Sequence, residues 1–358
     1  MRKNLCLQSF QNYKNKPIYK NDFSTTYFNS FFNKTMNYLV CDYFWACSRK
    51  SYLPCGETYD VYSYNAIVEC LKAGARLIQL DIYNDEISNP VVRNKHPMPI
   101  YGKPLDFEQC IKLIQTYGWI DCPNYPLILF LSINTNNKTT FNKIAKIFKT
   151  YFQNRFLNKK YSFAGRNGEF PFGQIPISDL LGKIAIIVDK YPLLGVLNEL
   201  INAEVTKDQQ FITIQKYTPS TAQYGGLVST NTDITTLINY NKFNITGIES
   251  DGITRPVKES HFLRAMVTEN VRNPKSDIFN ADPIDCWKFG CQWVMMNYQL
   301  WDKNMEIYID KFKNAGLVLK PEELRYIPKP PPPINKQNTR AFYKPRNNEQ
   351  KGWYNFNL

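Results

Sequence analysis

Histidine is almost missing from this 358-residue chain: His96 and His261 are the only two. A histidine-rich metal centre, or a reaction needing two imidazoles, would have to use both. Nine cysteines (Cys6, Cys41, Cys47, Cys55, Cys70, Cys110, Cys122, Cys286, Cys291) are scattered without one C-x-x-C pair. Neither a zinc site nor a disulfide framework is indicated, and free thiols in a reducing compartment are the expectation. Long apolar runs are also lacking: stretches such as 127-LILFL-131 fall far short of the roughly 18 residues that suggest a membrane span. Arg2 and Lys3 open the chain, but Gln8, Gln11 and Asn12 interrupt any apolar signal-peptide core. The expectation is a soluble intracellular protein with no bound cofactor.

What is present is a folded composition, 43% hydrophobic and 21% charged, with a net charge of +13. Such a charge invites nucleic acid or anionic membrane, yet its distribution argues against both. Residues 1–40 carry +5 and residues 329–358 carry another +5, which leaves +3 for the 288 residues between. The body is nearly balanced and the basicity lies in two arms. The C-terminal arm follows 326-YIPKPPPPIN-335, an extended polyproline stretch, and places Phe342, Tyr343, Trp353, Tyr354 and Phe356 among cations. Aromatic anchors of this kind suit grooves on protein neighbours. Single-stranded nucleic acid is the less favoured partner.

Between the arms the pattern is regular. Ser63 is placed to cap a helix through about Lys72, with Ala66, Ile67, Cys70 and Leu71 on one face and Gly74 to end it. Strands read at 76–82, 90–94, 126–133 and 183–190, and helices at 141–152 and 193–203. The strands are near-continuously apolar, as when both faces of a parallel sheet are covered. Strand and helix alternating over this length point to a (β/α) barrel. The expected organisation is an N-terminal arm (1–36), a first half-barrel (37–190), a linker or insertion (191–240), a second half-barrel (241–326) and a C-terminal arm (327–358).

The segments 46-ACSRKSYL-53, 63-SYNAIVECLKAGARLIQLDIY-83, 90-PVVRNKH-96, 126-PLILFLS-132 and 181-LGKIAIIV-188 resemble the X half of eukaryotic phosphoinositide-specific phospholipase C. Residues 278–325 resemble the end of its Y half, through Trp287, Gly290, Gln292, Val294, Asn297 and Gln299. The resemblance implies a TIM-type (β/α)8 barrel of the phospholipase-C-like phosphodiesterase kind, with extended arms. It also implies calcium-assisted phosphodiester cleavage using two histidines, and here the residues depart from the family. The first catalytic histidine corresponds to Arg49 and the second to Asn94. Calcium ligands correspond to Lys50, Gln79, Asp81 and Ser132, so one carboxylate survives. The phosphate-binding lysines correspond to about Ile187 and Asp189, while His96 lies two residues beyond Asn94. No catalytic residue and no metal ligand set is expected.

Arg49 and Lys50 read in two ways: as an anion pocket for a phosphoinositide headgroup, or as a structural network with Asp81 that fills the old site. The function expected from these residues is a catalytically inactive barrel. It serves as a structural subunit of a large assembly, gripping several protein neighbours through residues 1–36 and 327–358. A cytoplasmic, cytoskeletal or ciliary lattice is preferred over a mitochondrial complex or a virion. The competing readings are a headgroup-binding module and a residual metal-independent phosphodiesterase.

Overall fold

The computed structural model describes residues 38–54, 61–94, 102–120, 123–162, 164–165, 172–189, 195–204, 211–216, 262–267, 280, 283–288 and 292–325. The chain divides into two units, Met1–Tyr326 and Ile327–Leu358. The second unit, the N-terminal arm, His96 and His261 lie outside the described residues, and with them the expected anchors Phe342, Tyr343, Trp353, Tyr354 and Phe356.

In chain order the first unit runs β1 (Tyr43–Ser48), α1 (Tyr64–Lys72), β2 (Leu77–Asn84), β3 (Pro90–Val92), β4 (Leu105–Asp106), α2 (Phe107–Tyr117), β5 (Leu127–Ile133), α3 (Lys138–Phe152), α4 (Ile177–Leu180) and β6 (Ile184–Val188). Then come β7 (Ala203–Glu204), β8 (Phe211–Lys216), β9 (Phe262–Val267), α5 (Pro283–Lys288), β10 (Trp293–Met296), α6 (Lys303–Phe312) and β11 (Leu317–Leu319). Local chemistry places the helix starts. Asp106 accepts from the Gln109 amide, Asn137 from Thr139 and Thr140, and Asp302 from Met305, each satisfying an N–H that the first turn leaves open. Gly74, at φ 90°, turns the chain out of α1 where a side chain would be strained.

Eight strands (β1, β2, β5, β6, β7, β8, β9, β10) follow one another as parallel neighbours, except that no β7–β8 pairing occurs among the described residues. The last pairs back on the first, Trp293 beside Trp45 and Met296 beside Ser48. That cyclic order is a TIM-type barrel. The antiparallel strands β3 and β4 extend from β2, and β11 lies along the first half of β1, on the edge that β2 takes up from Cys47.

Because side chains alternate along a strand, the two faces build two cores. The outer core joins Phe44, Ala46, Ile78, Leu80, Leu129, Leu131, Ile186 and Val294 to the helices. Inside the barrel Tyr43, Trp45, Cys47, Leu77, Ile128, Phe130, Ile187, Trp293 and Met295 pack together. Tyr308 of α6 pins the seam between the first and last strands: its hydroxyl accepts from the Cys47 amide at 2.6 Å and lies 3.1 Å from the Trp45 and Val294 carbonyls. Tyr308→Phe removes the hydroxyl that bonds these three backbone groups. The expected loss is about 0.5–1.5 kcal/mol of unfolding free energy, read by urea titration.

The stretch 193–203, expected as a helix, is instead a 3-10 turn over Gly195–Glu199 followed by β7. Leu197, Ile201 and Ala203 are buried, but Gly195 sits at φ 77°. Short apolar runs do not distinguish helix from strand by periodicity alone. Strands β7 and β8 fall within the stretch expected as a linker, and both belong to the sheet.

Candidate functional site

The alternation that fills the barrel also aims the site. Continuing the inner-face parity past Cys47 gives Arg49, past Leu77 gives Gln79 and Asp81, past Phe130 gives Ser132, and past Met295 gives Asn297. Arg49 and Asn297 directly follow β1 and β10, Ser132 is next to last in β5 and Asp81 is its register partner in β2, so these four lie toward the C-terminal ends of the barrel strands, where barrels of this type carry chemistry. Arg49, Gln79, Asp81 and Asn94 are each at most 6% exposed. Their distances describe two polar clusters, one around Asp81 and one joining Arg49, Asn297 and Asn280.

The Lys50 ammonium donates to Asn94 Oδ1 at 2.8 Å and stands 3.8 Å from Asp81 Oδ2. The Tyr52 hydroxyl lies 3.0 Å from the same carboxylate oxygen and 3.3 Å from the Arg93 carbonyl. Gln79 Nε2 reaches Ser132 Oγ at 3.2 Å and Asp81 Oδ1 at 3.5 Å. Gln79 Oε1 is buried without a hydrogen-bond partner. Arg49 Nη1 is 3.4 Å from Asn297 Oδ1, while the Asn297 amide donates to Asn280 Oδ1 at 2.7 Å. Lys50 itself adopts φ 43°, a left-handed conformation that costs a non-glycine residue about 1 kcal/mol or more.

The positions of the expected phosphate-binding lysines hold other roles. Ile187 is part of the inner core, and the Asp189 carboxylate accepts from the Ile133 amide at 2.9 Å. The neighbouring Cys70 thiol, 3.2 Å from Ser48 Oγ, supplies no nucleophile: burial pushes it up to about 12. Sequence reading overlooked Tyr52, Asn280 and Asn297 as members of these clusters. Asn297 could have been found by its parity with Met295; Asn280 carries no local signal.

A hard cation such as calcium takes six to eight oxygen ligands, several of them carboxylate. Asp81 is met by an amide, a hydroxyl and an ammonium, and the Asp189 carboxylate after β6 is taken up by the Ile133 amide. No group of three or more acidic, histidine or cysteine side chains able to hold a metal occurs among the described residues. The donor set does not fit calcium.

Comparison with known proteins bears on this barrel directly. Residues 36–190 match the family described as phosphatidylinositol-specific phospholipase C, X domain, and residues 258–323 match its Y domain. The chain belongs to the phosphatidylinositol-specific phospholipase C family. Within that family it is 23% identical over 313 residues to 1-phosphatidylinositol 4,5-bisphosphate phosphodiesterase delta-3-A of Danio rerio, covering 80% of this chain and 38% of that protein. It is 23% identical over 315 residues to inactive phospholipase C-like protein 1 of Rattus norvegicus, covering 79% and 27%. With inactive phospholipase C-like protein 2 of Homo sapiens the identity is 24% over 335 residues, again 79% and 27%. The chain thus spans about two fifths or less of the curated relatives it matches. Among solved structures, L. pealei PLC21 superposes with a TM-score of 0.58 at 16% identity, covering 81% of this chain and 38% of that one. That likeness shows the fold.

Proposed function

We propose that this chain is a non-catalytic phospholipase-C-like barrel that serves as a structural subunit of a larger protein assembly. The observation that carries the first half of the reading is the identity of the two groups at the proton-transfer positions. A guanidinium is not a proton-transfer group at neutral pH and a carboxamide has no proton to exchange, and these are the groups of Arg49 and Asn94. Each lost acid or base removes typically about 10²–10⁴ in rate. Both side chains instead hold neighbours in place, Arg49 against Asn297 and Asn94 against Lys50. Relatives named as inactive phospholipase-C-like proteins support the same reading.

The structural role rests on the charge distribution of the sequence, a nearly neutral body with basic, aromatic arms at 1–36 and 327–358. Protein neighbours bound through those arms, in a cytoskeletal or ciliary lattice, are the preferred partners. A phosphoinositide-binding pocket made by Arg49 and Lys50 is disfavoured, because the Lys50 ammonium is engaged within the Asp81 cluster and Arg49 is 5% exposed. No helix among the described residues is long and apolar enough to cross a membrane.

Two measurements test the proposal. Purified full-length protein mixed with vesicles containing phosphatidylinositol 4,5-bisphosphate should release no inositol phosphate above a protein-free control, with calcium or with chelator. Release that disappears in Asp81→Ala would overturn the non-catalytic reading. Tagged full-length protein isolated from its native cells should bring down a set of proteins in fixed stoichiometry that is lost when 1–36 and 327–358 are removed. A monomer in both cases would overturn the structural role.

A further inference from the structure

We infer that Lys50 is a tethered cation that stands in for a bound metal ion, so that this barrel holds its cleft together independently of calcium. The inference deepens the non-catalytic reading of the same site, and it concerns binding rather than turnover. Asp81 is a carboxylate 6% exposed at the mouth of the barrel, and a buried carboxylate needs a counter-charge. The Lys50 ammonium supplies it from 3.8 Å, with its side chain only 12% exposed. The same ammonium donates at 2.8 Å to Asn94 Oδ1, so one cation draws together oxygens from β2 and from the segment after β3. A metal ion would join the same elements in the same way. Tyr52 and Gln79 complete the surroundings of Asp81, at 3.0 and 3.5 Å.

The backbone supports this assignment. Lys50 is one of two described non-glycine residues with positive φ, the other being Ser88. Lysine gains nothing from that conformation, whereas asparagine and glycine tolerate it. The contacts of its ammonium offset the cost of holding it there. A divalent ion cannot share this position with the ammonium, since both carry positive charge within a few ångströms. Removing the ammonium while adding a carboxylate beside Asp81 therefore opens a site for a divalent cation, and Gln79, whose Nε2 is 3.5 Å from Asp81, is the side chain to change.

The test uses the full chain and reads its thermal unfolding midpoint with millimolar calcium or with chelator. The wild type is expected to show the same midpoint in both. Lys50→Met keeps the backbone and the aliphatic stem but removes the charge; its midpoint in chelator should fall by about 5 °C or more. Adding Asp81→Asn to that variant should recover most of the loss, since the carboxylate that the ammonium held is then replaced by a neutral amide. Lys50→Asn combined with Gln79→Glu should gain a calcium-dependent rise in midpoint, with terbium luminescence that calcium displaces. A calcium-dependent rise in the wild type would overturn the inference. So would additive losses in Lys50→Met with Asp81→Asn, or a folded Lys50→Asn, Gln79→Glu protein blind to calcium. Should Lys50→Met fail to fold, the wild-type and asparagine arms decide. Inositol phosphate release by the wild type in chelator would sink the non-catalytic reading yet leave the tethered cation standing, so the two failures are distinguishable.

Discussion

Trp45→Ala is expected to destabilise the protein by about 3–5 kcal/mol, the range for emptying the site of a fully buried aromatic side chain. Trp45 is 0% exposed and lies on the inner face of β1, directly beside Trp293 in the parallel register. Its indole N–H donates to the Val40 carbonyl at 3.2 Å, so the substitution removes a buried hydrogen bond together with the ring. The inner core cannot collapse readily onto the gap, because its walls are strands held by ladders on both edges: β1 is paired with β10 on one side and with β11 and β2 on the other. Urea titration should show the loss in the midpoint with little change in slope. Trp45→Phe, which keeps most of the volume, should cost well under half as much. Equal losses for the two variants would show that the indole hydrogen bond, rather than packing, dominates at this position.

The second large effect is at Arg76. Arg76 is 6% exposed, where the turn after α1 enters β2. Its guanidinium donates to the Gly118 carbonyl at 2.7 Å and the Leu71 carbonyl at 3.2 Å, and lies over the Tyr125 ring at 5.2 Å. It therefore ties the ends of α1 and α2 together, taking up the Gly118 carbonyl beyond α2 and adding a second donor to the Leu71 carbonyl, which already accepts from the Gly74 amide at 3.0 Å. Arg76→Met keeps the stem and removes both charged hydrogen bonds, each worth about 1.5–3 kcal/mol, so a loss of about 3–6 kcal/mol is expected in the same titration. Arg76→Lys should recover little, since one ammonium cannot reproduce the planar fork. The site is also tight: a Cβ added at Gly316 would meet the Arg76 stem and lie 2.7 Å from the Gly74 carbonyl. A loss under 1 kcal/mol for Arg76→Met would show that water replaces the guanidinium at both helix ends.

Much of the fold was legible because the informative signals are local. Ser63, Lys72 and Gly74 marked α1, and the apolar runs marked β2, β5 and β6 to within about two residues. The misread stretch, 193–203, has buried side chains whose spacing fits helix or strand, and the surrounding sheet selects the strand at Ala203. At the site, motif comparison named Arg49, Lys50, Gln79, Asp81, Asn94 and Ser132. It could not say that Lys50 reaches across to Asn94, or that Tyr52 and Asn297 join the two clusters.

The sequence by itself determined the residue types at positions 49 and 94, where the family's proton-transfer groups are replaced by arginine and asparagine. Chain chemistry sets this, since neither arginine nor asparagine acquires an acid–base role at neutral pH by folding. Only the tertiary structure decided what the substituted groups do with one another. Residues 50, 81 and 94 are far apart along the chain, and whether their charges meet depends on strand register and backbone φ. Parallel pairing brings β1, β2 and β5 into line, and the left-handed turn at Lys50 accompanies an ammonium 3.8 Å from the Asp81 carboxylate.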